Sequence, residues 1–274
     1  MISLEIFEFG FIQRALIAGV AISSICSVIG LFLVLRRQSL FGDSLAHMAF
    51  GGLAIGLFIN THPLWTAFVA SILASLGITR LKYSANIPAD SAVAIMLSSG
   101  LALGVLLLSL SGGFSVDLFG FLFGNILLVG VEDTLLVLAI TAIVLTLTSI
   151  LYRQFLYITF DEEQAKVSGI KVMRLNYLFI FLASLTVIAS MRLVGILLIS
   201  SLIVMPNITA MMIGRGFRRT ALVSVIVSIA SVISGIILSY ILNSAPSGTI
   251  VLISILIFLV TYIVKHSKKR FNRI

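Results

Sequence analysis

The sequence is dominated by apolar runs of about 17–25 residues, each long enough to cross a hydrocarbon layer as a helix. Of the 274 residues, 60% are hydrophobic and 10% are charged, whereas about a quarter are charged in soluble domains. The short alternating segments of a membrane β-barrel are missing. The pattern predicts an all-α polytopic membrane protein, with one transmembrane domain over residues 1–274. Nine spans can be drawn, at residues 12–35, 40–59, 63–79, 89–110, 134–151, 174–192, 194–213, 220–242 and 248–265.

Basic residues indicate how these spans are oriented. All of the 18 lysines and arginines except Arg14 and Arg192 fall in five clusters, near residues 36–37, 80–82, 153–174, 215–219 and 265–273. If the clusters are cytoplasmic, nine spans place the N-terminus outside and the basic tail inside. Two spans that fuse or turn back would leave eight. The net charge of +8 is thus explained by topology and does not indicate nucleic acid. We expect no cleaved signal peptide, because the N-terminus is acidic.

A carboxylate and an imidazole lie four residues apart at the start of the second apolar run, at Asp43 and His47. On a helix this spacing places both side chains on one face, about one turn apart. Oxygen and nitrogen donors suit zinc or manganese. The alternative is structural: Asp43 caps the helix, and His47 makes one hydrogen bond to a neighbouring helix. The pair by itself is half of a metal site.

Two further residues are candidates for an outer gate. Residues 111–127 form a segment whose apolar part is too short to span, and we expect a short outer helix at about 115–127. Asp117 either caps that helix or faces the translocation path, and capping is favoured. His62 precedes Pro63 in the loop after the second span, which favours an interfacial loop residue over a metal ligand.

The longest polar cytoplasmic segment follows the fifth span. Thr159 or Asp161 can cap a short helix at about 160–170, Glu162 and Glu163 place acids in its first turn, and Gly169 ends it. We predict a cytoplasmic helix here. The alternative is a solvated loop helix that has no partner.

Small polar residues accompany a proline in the seventh span. Pro206 removes a backbone hydrogen bond and bends the helix. Ser200, Ser201, Asn207 and Thr209 are interpreted as packing residues that satisfy freed backbone groups or form close helix contacts, rather than as ligands.

Taken together, these residues resemble the permease subunit of the zinc/manganese (ABC-3 type) ATP-binding-cassette importers, over about residues 12–265. No single mark is specific, but their order and spacing are. The marks are Gly42 to His47, Val116-Asp117-Leu118 with residues 121–124, Asp161 to Gly169, residues 194–206, and Ala245 to Gly248 with residues 250–252.

The resemblance implies a type II importer in the bacterial cytoplasmic membrane, in which two permease copies form one pathway between two cytoplasmic ATPase subunits. A lipoprotein or periplasmic metal-binding protein delivers the cargo, and no cofactor is bound permanently. Asp43 and His47 match the pair that lines the pathway, so two copies would supply four ligands. The helix with Asp161, Glu162, Glu163, Ala165 and Gly169 matches the coupling helix that docks on the ATPase. The residues from Gly42 to His47 and the turn from Pro246 to Gly248 resemble zinc importers more than manganese importers. The resemblance therefore favours Zn²⁺ as the cargo, with Mn²⁺ or iron as the alternative.

Three other classes of membrane protein fit the sequence less well. A metal-chelate importer shares the architecture but has no need for a metal-ligating pair. A proton-coupled transporter is disfavoured by the cytoplasmic helix and by the shortage of other buried carboxylates. A membrane-embedded enzyme is disfavoured because the sequence has no Walker loop, no His-Glu-x-x-His and no plausible Ser-His-Asp arrangement. We therefore expect no enzymatic activity from the chain itself, with ATP hydrolysis on a separate subunit.

Overall fold

A computed structural model describes residues 10–110, 124, 129–214 and 216–271. Within these ranges every regular element is a helix. The helices are α1 (Gly10–Leu35), α2 (Phe41–Phe58), α3 (Pro63–Ser84), α4 (Ala89–Leu110), α5 (Val131–Ile150), α6 (Tyr152–Phe160), α7 (Glu162–Val167), α8 (Val172–Val194), α9 (Ile196–Ile213), α10 (Phe217–Leu242) and α11 (Pro246–Phe271). The predicted all-α class is confirmed. Asp117 and the predicted outer helix at 115–127 lie outside the described residues.

Each predicted span coincides with one long helix, but the helices differ in how well they suit a bilayer. Among the described residues, 7 helices are long and apolar enough to cross a membrane. The other two long helices are α3, which carries Thr66, Ser71, Thr79 and Lys82, and α9, an 18-residue helix with Pro206 inside it.

Two helices occupy the interior of the bundle. In α1 and α2, 72% and 67% of the most apolar window is buried, compared with 22% in α4 and 17% in α11. Helix α1 contacts α5, α8, α9 and α10, while α2 contacts α3, α4, α8 and α9. Helices α8 and α9 therefore join the two groups. The apolar faces of α4, α5, α10 and α11 are turned outward, as expected for helices that meet lipid or a second protein.

Helices α2 and α4 approach each other closely because glycines face each other. A Cβ atom added at Gly51 would lie 2.9 Å from the carbonyl oxygen of Gly100. A Cβ atom added at Gly100 would lie 2.6 Å from the carbonyl oxygen of His47. Small residues allow such backbone contact between membrane helices. The backbone that carries His47 is therefore held directly against α4.

Candidate metal site

Asp43 and His47 lie in the first two turns of α2 and are both half-buried. Their neighbours Ser44, Leu45 and Ala46 are fully buried. The predicted spacing is thus realised on a continuous helix, and the pair shares one face because four residues complete about one turn. An ionisable pair inside an apolar bundle is costly unless it faces a cavity or a counter-charge.

The carboxylate of Asp43 has a partner that sequence reasoning did not assign. The hydroxyl of Ser200, in the second turn of α9, donates a hydrogen bond to Asp43 Oδ1. The interpretation of Ser200 as a packing residue is therefore incomplete. The sequence signal was present, since Ser200 is a polar residue in an otherwise apolar helix. Nothing local, however, indicates which helix it would face.

Helix α9 is positioned for this contact by a glycine at its start. Gly195 has φ 83°, which separates α8 from α9. Side chains with a Cβ rarely adopt this backbone conformation. Farther along, α9 continues through Pro206, and Asn207 Nδ2 and Thr209 Oγ1 donate to the carbonyls one turn earlier, at 2.7 and 2.8 Å. Asn207 also accepts a hydrogen bond from Ser224 of α10 at 2.7 Å, so the predicted close helix contact is confirmed for Asn207.

No larger ligand cluster forms within the part of the chain that the structure describes. There, no group of three or more His, Cys, Asp or Glu side chains could hold a metal ion. Within the described residues no third side chain of these types joins Asp43 and His47, and their role as metal ligands stays a prediction. Cys26 is buried and contacts Ser190, with 3.2 Å between sulfur and oxygen.

His62 lies elsewhere, at the exposed start of α3, where it is the residue that precedes Pro63. It lines a largely apolar cavity of about 530 Å³ together with Ala49, Asp133, Met191 and other residues of α2, α3, α5 and α8. His62 is thus an exposed residue that also contributes to the wall of this cavity. Its role as an outer gate stays a prediction.

Comparison with known families identifies the class of protein. The model of the ABC 3 transport family matches residues 8–265. The chain belongs to this family. It is a multi-pass membrane permease, a transport subunit of an ABC metal importer.

Similar proteins cover almost all of the permease. It is 34% identical to the manganese import system permease protein ScaB of Streptococcus gordonii, over 97% of this chain and 95% of that protein. It is also 34% identical to a probable metal transport system membrane protein of Treponema pallidum, over 92% and 94% of the two chains. The solved structure of PsaBC from Streptococcus pneumoniae in complex with Fab matches with a TM-score of 0.82 at 32% identity. It covers 94% of this chain and 92% of that one.

The names of these relatives are relevant to the identity of the transported metal. The predicted preference for zinc is not confirmed, because relatives such as ScaB and the MntC protein of Listeria innocua are named for manganese. The findings support the manganese alternative better than they support zinc.

The predicted cytoplasmic helix of the permease is present as α7. Asp161 is its N-cap, and its carboxylate accepts a hydrogen bond from the backbone N–H of Gln164 at 2.9 Å. Gly169, with φ 80°, follows the end of the helix. Of the two predicted caps, Thr159 is not the one used, because its hydroxyl donates to the carbonyl of Phe155.

One face of α7 is packed and the other is free. Ala165 is fully buried in a small cluster with Ile158 and Val172, while Glu163 is exposed. Glu162 pairs with Lys82 at 3.4 Å and with Lys166 at 3.7 Å. The helix is therefore anchored to α3, α6 and α8 and still offers a surface on which a partner can dock.

Proposed function

We propose that this permease imports a divalent transition metal, manganese in preference to zinc, through a transient site made by Asp43 and His47 of two permease copies. The observation that carries the proposal is the pair itself, held on one face of α2, with the Asp43 carboxylate oriented by Ser200. A pair from each copy supplies two carboxylates and two imidazoles. This is a complete ligand set for a divalent cation.

The relatives support manganese over zinc. Proteins such as ScaB are named for manganese. Two carboxylates and two imidazoles are donors that both ions accept, so the names of the relatives, and not the ligand set, carry the preference.

The import cycle uses α7 as the contact with a separate ATPase subunit, through Asp161, Glu162, Glu163, Ala165 and Gly169. ATP binding brings the two α7 helices together and opens the path outward, so that a delivery protein releases the metal onto the paired Asp43 and His47. ATP hydrolysis reverses access. The bound dication offsets the cost of holding carboxylate and imidazole among apolar helices.

The test is uptake into liposomes that contain the permease with its ATPase and delivery protein. Labelled manganese and zinc are offered separately and in competition, with and without ATP. Asp43→Asn and His47→Gln are compared with the wild type. Asp90→Asn and His266→Gln are the matched controls, because both of these residues are exposed.

We expect ATP-dependent manganese uptake that zinc competes with weakly, and its loss in the Asp43 and His47 variants only. Exclusive entry of zinc would contradict the metal preference and leave the import function intact. Normal transport by both variants of the pair, in complexes that assemble, would contradict the site.

A further inference from the structure

The residue that follows α1, Arg36, makes an unusual set of contacts. Its Nε donates to Thr159 Oγ1 and its Nη1 donates to Asn176 Oδ1, both at 3.0 Å. Its guanidinium carbon lies 4.3 Å from the ring centroid of Phe179. Burial lowers the pKa of Arg36 to about 10, and the charges of Tyr83 and Glu162 oppose that shift. Arg36 therefore stays charged at neutral pH and bridges α6 and α8.

A second set of contacts connects Arg36 to α7. Asn176, which binds Arg36 through its oxygen, donates through Nδ2 to the hydroxyl of Tyr83. Lys82 Nζ donates to the same hydroxyl at 3.1 Å and pairs with Glu162 at 3.4 Å. Glu162 is the first residue of α7. A continuous polar path thus runs from α7 through α3 and α8 to Arg36.

The other arm of this path is shorter. Thr159, the other side chain that accepts from Arg36, lies in the last turn of α6, two residues before Asp161, the cap of α7. The two arms form a closed ring with Arg36 opposite α7. A displacement of α7 therefore reaches the guanidinium from both sides.

On its other side, Arg36 is joined to Asp43 by the short turn between α1 and α2. The backbone N–H of Gln38 donates to Leu33 at 2.9 Å, and that of Phe41 donates to Gln38 at 3.1 Å. Gln38 is 5% exposed. Asp43 lies in the first turn of α2, immediately after this connection. Only residues 36–40 separate α1 from α2.

We infer that Arg36 is the positioning residue through which the cytoplasmic helix α7 sets the placement of Asp43 and His47. The inference rests on the proposed function in that it takes this pair as the cargo site. A guanidinium has a planar fork of donors, so it holds two acceptors on different helices in one fixed geometry, which a lysine ammonium does not do.

The contacts of Arg36 are also sensitive to substitution. Arg36 Nη2 is buried and has no hydrogen-bond partner among the described residues. Loss of another of its bonds would leave a buried charge still less satisfied, which is costly. The ring is therefore expected to move as a unit rather than to open.

The first measurement is the amount of manganese taken up per ATP hydrolysed, in the complete importer in liposomes. We expect Arg36→Lys to lower this ratio about 10-fold, while assembly with the ATPase is retained. Arg37→Lys is the matched control, because Arg37 is the exposed neighbour in the same turn.

If Arg36→Lys fails to fold, Thr159→Val takes its place, with an expected loss of about 3-fold in the uptake ratio. Thr159→Ser, which keeps the hydroxyl, should restore the wild-type ratio. A purely structural role would lower the amount of folded importer without changing the ratio.

The second measurement does not depend on the cargo. Leu40→Cys and Gln164→Cys are introduced into a Cys26→Ser background, and a spin label is attached to each new cysteine. The distance between the two labels is measured by double electron–electron resonance in the complete importer. The labelled chain is diluted with unlabelled permease. Leu40 is 48% exposed and Gln164 is also exposed. With Arg36 present we expect one narrow distance distribution, unchanged by ATP, and in Arg36→Lys a distribution about twice as wide.

The outcomes separate the two proposals. An unchanged uptake ratio together with an unchanged distance distribution in Arg36→Lys would overturn the role of Arg36. If the wild type takes up neither metal, the proposed function fails, and the distance measurement still decides whether Arg36 links α7 to α2.

Discussion

The hydroxyl of Ser200 on α9 donates a hydrogen bond to the carboxylate of Asp43 on α2, and the two residues are 157 positions apart in the chain. This contact joins the two groups of helices that α1 and α2 organise. It also orients the one carboxylate of the candidate site. A hydrogen bond to a charged group contributes more than one between neutral groups.

Replacing Ser200 by alanine should weaken metal binding, because the Asp43 carboxylate would lose the donor that orients it. Loss of such an outer partner typically costs about 10-fold to 100-fold in metal affinity. We expect a reduction of about 10-fold in manganese affinity, measured by equilibrium binding to the purified permease. Ser201→Ala is the control, since Ser201 is the adjacent residue of the same helix and is half-buried like Ser200. Equal affinity in the two variants would contradict the role of Ser200.

Gly100→Ala should disturb the backbone of His47. The added Cβ atom would lie 2.5 Å from the backbone nitrogen of Met48 and 2.6 Å from the carbonyl oxygen of His47. Because backbone atoms cannot rotate away, α4 and α2 must separate, at a cost of about 1–3 kcal/mol. Thermal unfolding of the purified permease measures this loss. Gly248→Ala should be tolerated, because a Cβ atom there meets nothing within 4 Å, and equal melting temperatures would argue against the close contact.

Two serines of α10 offer a paired test of the buried polar contacts behind α9. Ser224 donates to Asn207 Oδ1 at 2.7 Å and shares a hydrogen bond with Ser27 at 2.6 Å. Ser228, one turn later and equally buried, has no hydrogen-bond partner among the described residues. We expect Ser224→Ala to lower stability by about 1–3 kcal/mol and Ser228→Ala to be close to neutral. Denaturant unfolding compares them, and a larger loss for Ser228→Ala would refute the assignment.

Asp161→Ala should weaken the contact with the ATPase. The alanine removes the only side chain seen to cap α7 in the described structure, where Asp161 accepts from Gln164 at 2.9 Å. An N-cap loss costs about 0.5–2 kcal/mol, and α7 has only 6 residues. The fraction of ATPase retained by the purified permease should fall.

Asp161→Asn is the corresponding control, because asparagine caps helices about as well as aspartate. We expect it to retain the ATPase like the wild type. If the asparagine variant fails as completely as the alanine variant, the carboxylate charge, rather than the cap, is what the partner requires.

Local features of this permease were predictable from the sequence. The long apolar runs became helices with nearly the predicted ends, because a run of about 20 apolar residues in a bilayer must satisfy its backbone within the segment. Asp161, Glu162 and Gly169 predicted the start and end of α7. The spacing of Asp43 and His47 predicted a shared face, since residues four apart meet on any helix. Each of these features depends only on neighbours in the chain.

Contacts between distant residues were decided by the tertiary structure. Arg36 meets Thr159 and Asn176, which are 123 and 140 positions away, and Asp43 meets Ser200 across a similar separation. Periodicity identifies which face of a helix is polar, but not which of several apolar helices lies against that face. Packing determines this, and here the close approach of α2 and α4 at Gly100 and the start of α9 at Gly195 decide it. The sequence by itself therefore determined the helices and the shared face of Asp43 and His47, while only the packed bundle decided that Ser200 meets Asp43 and that Arg36 meets Thr159 and Asn176.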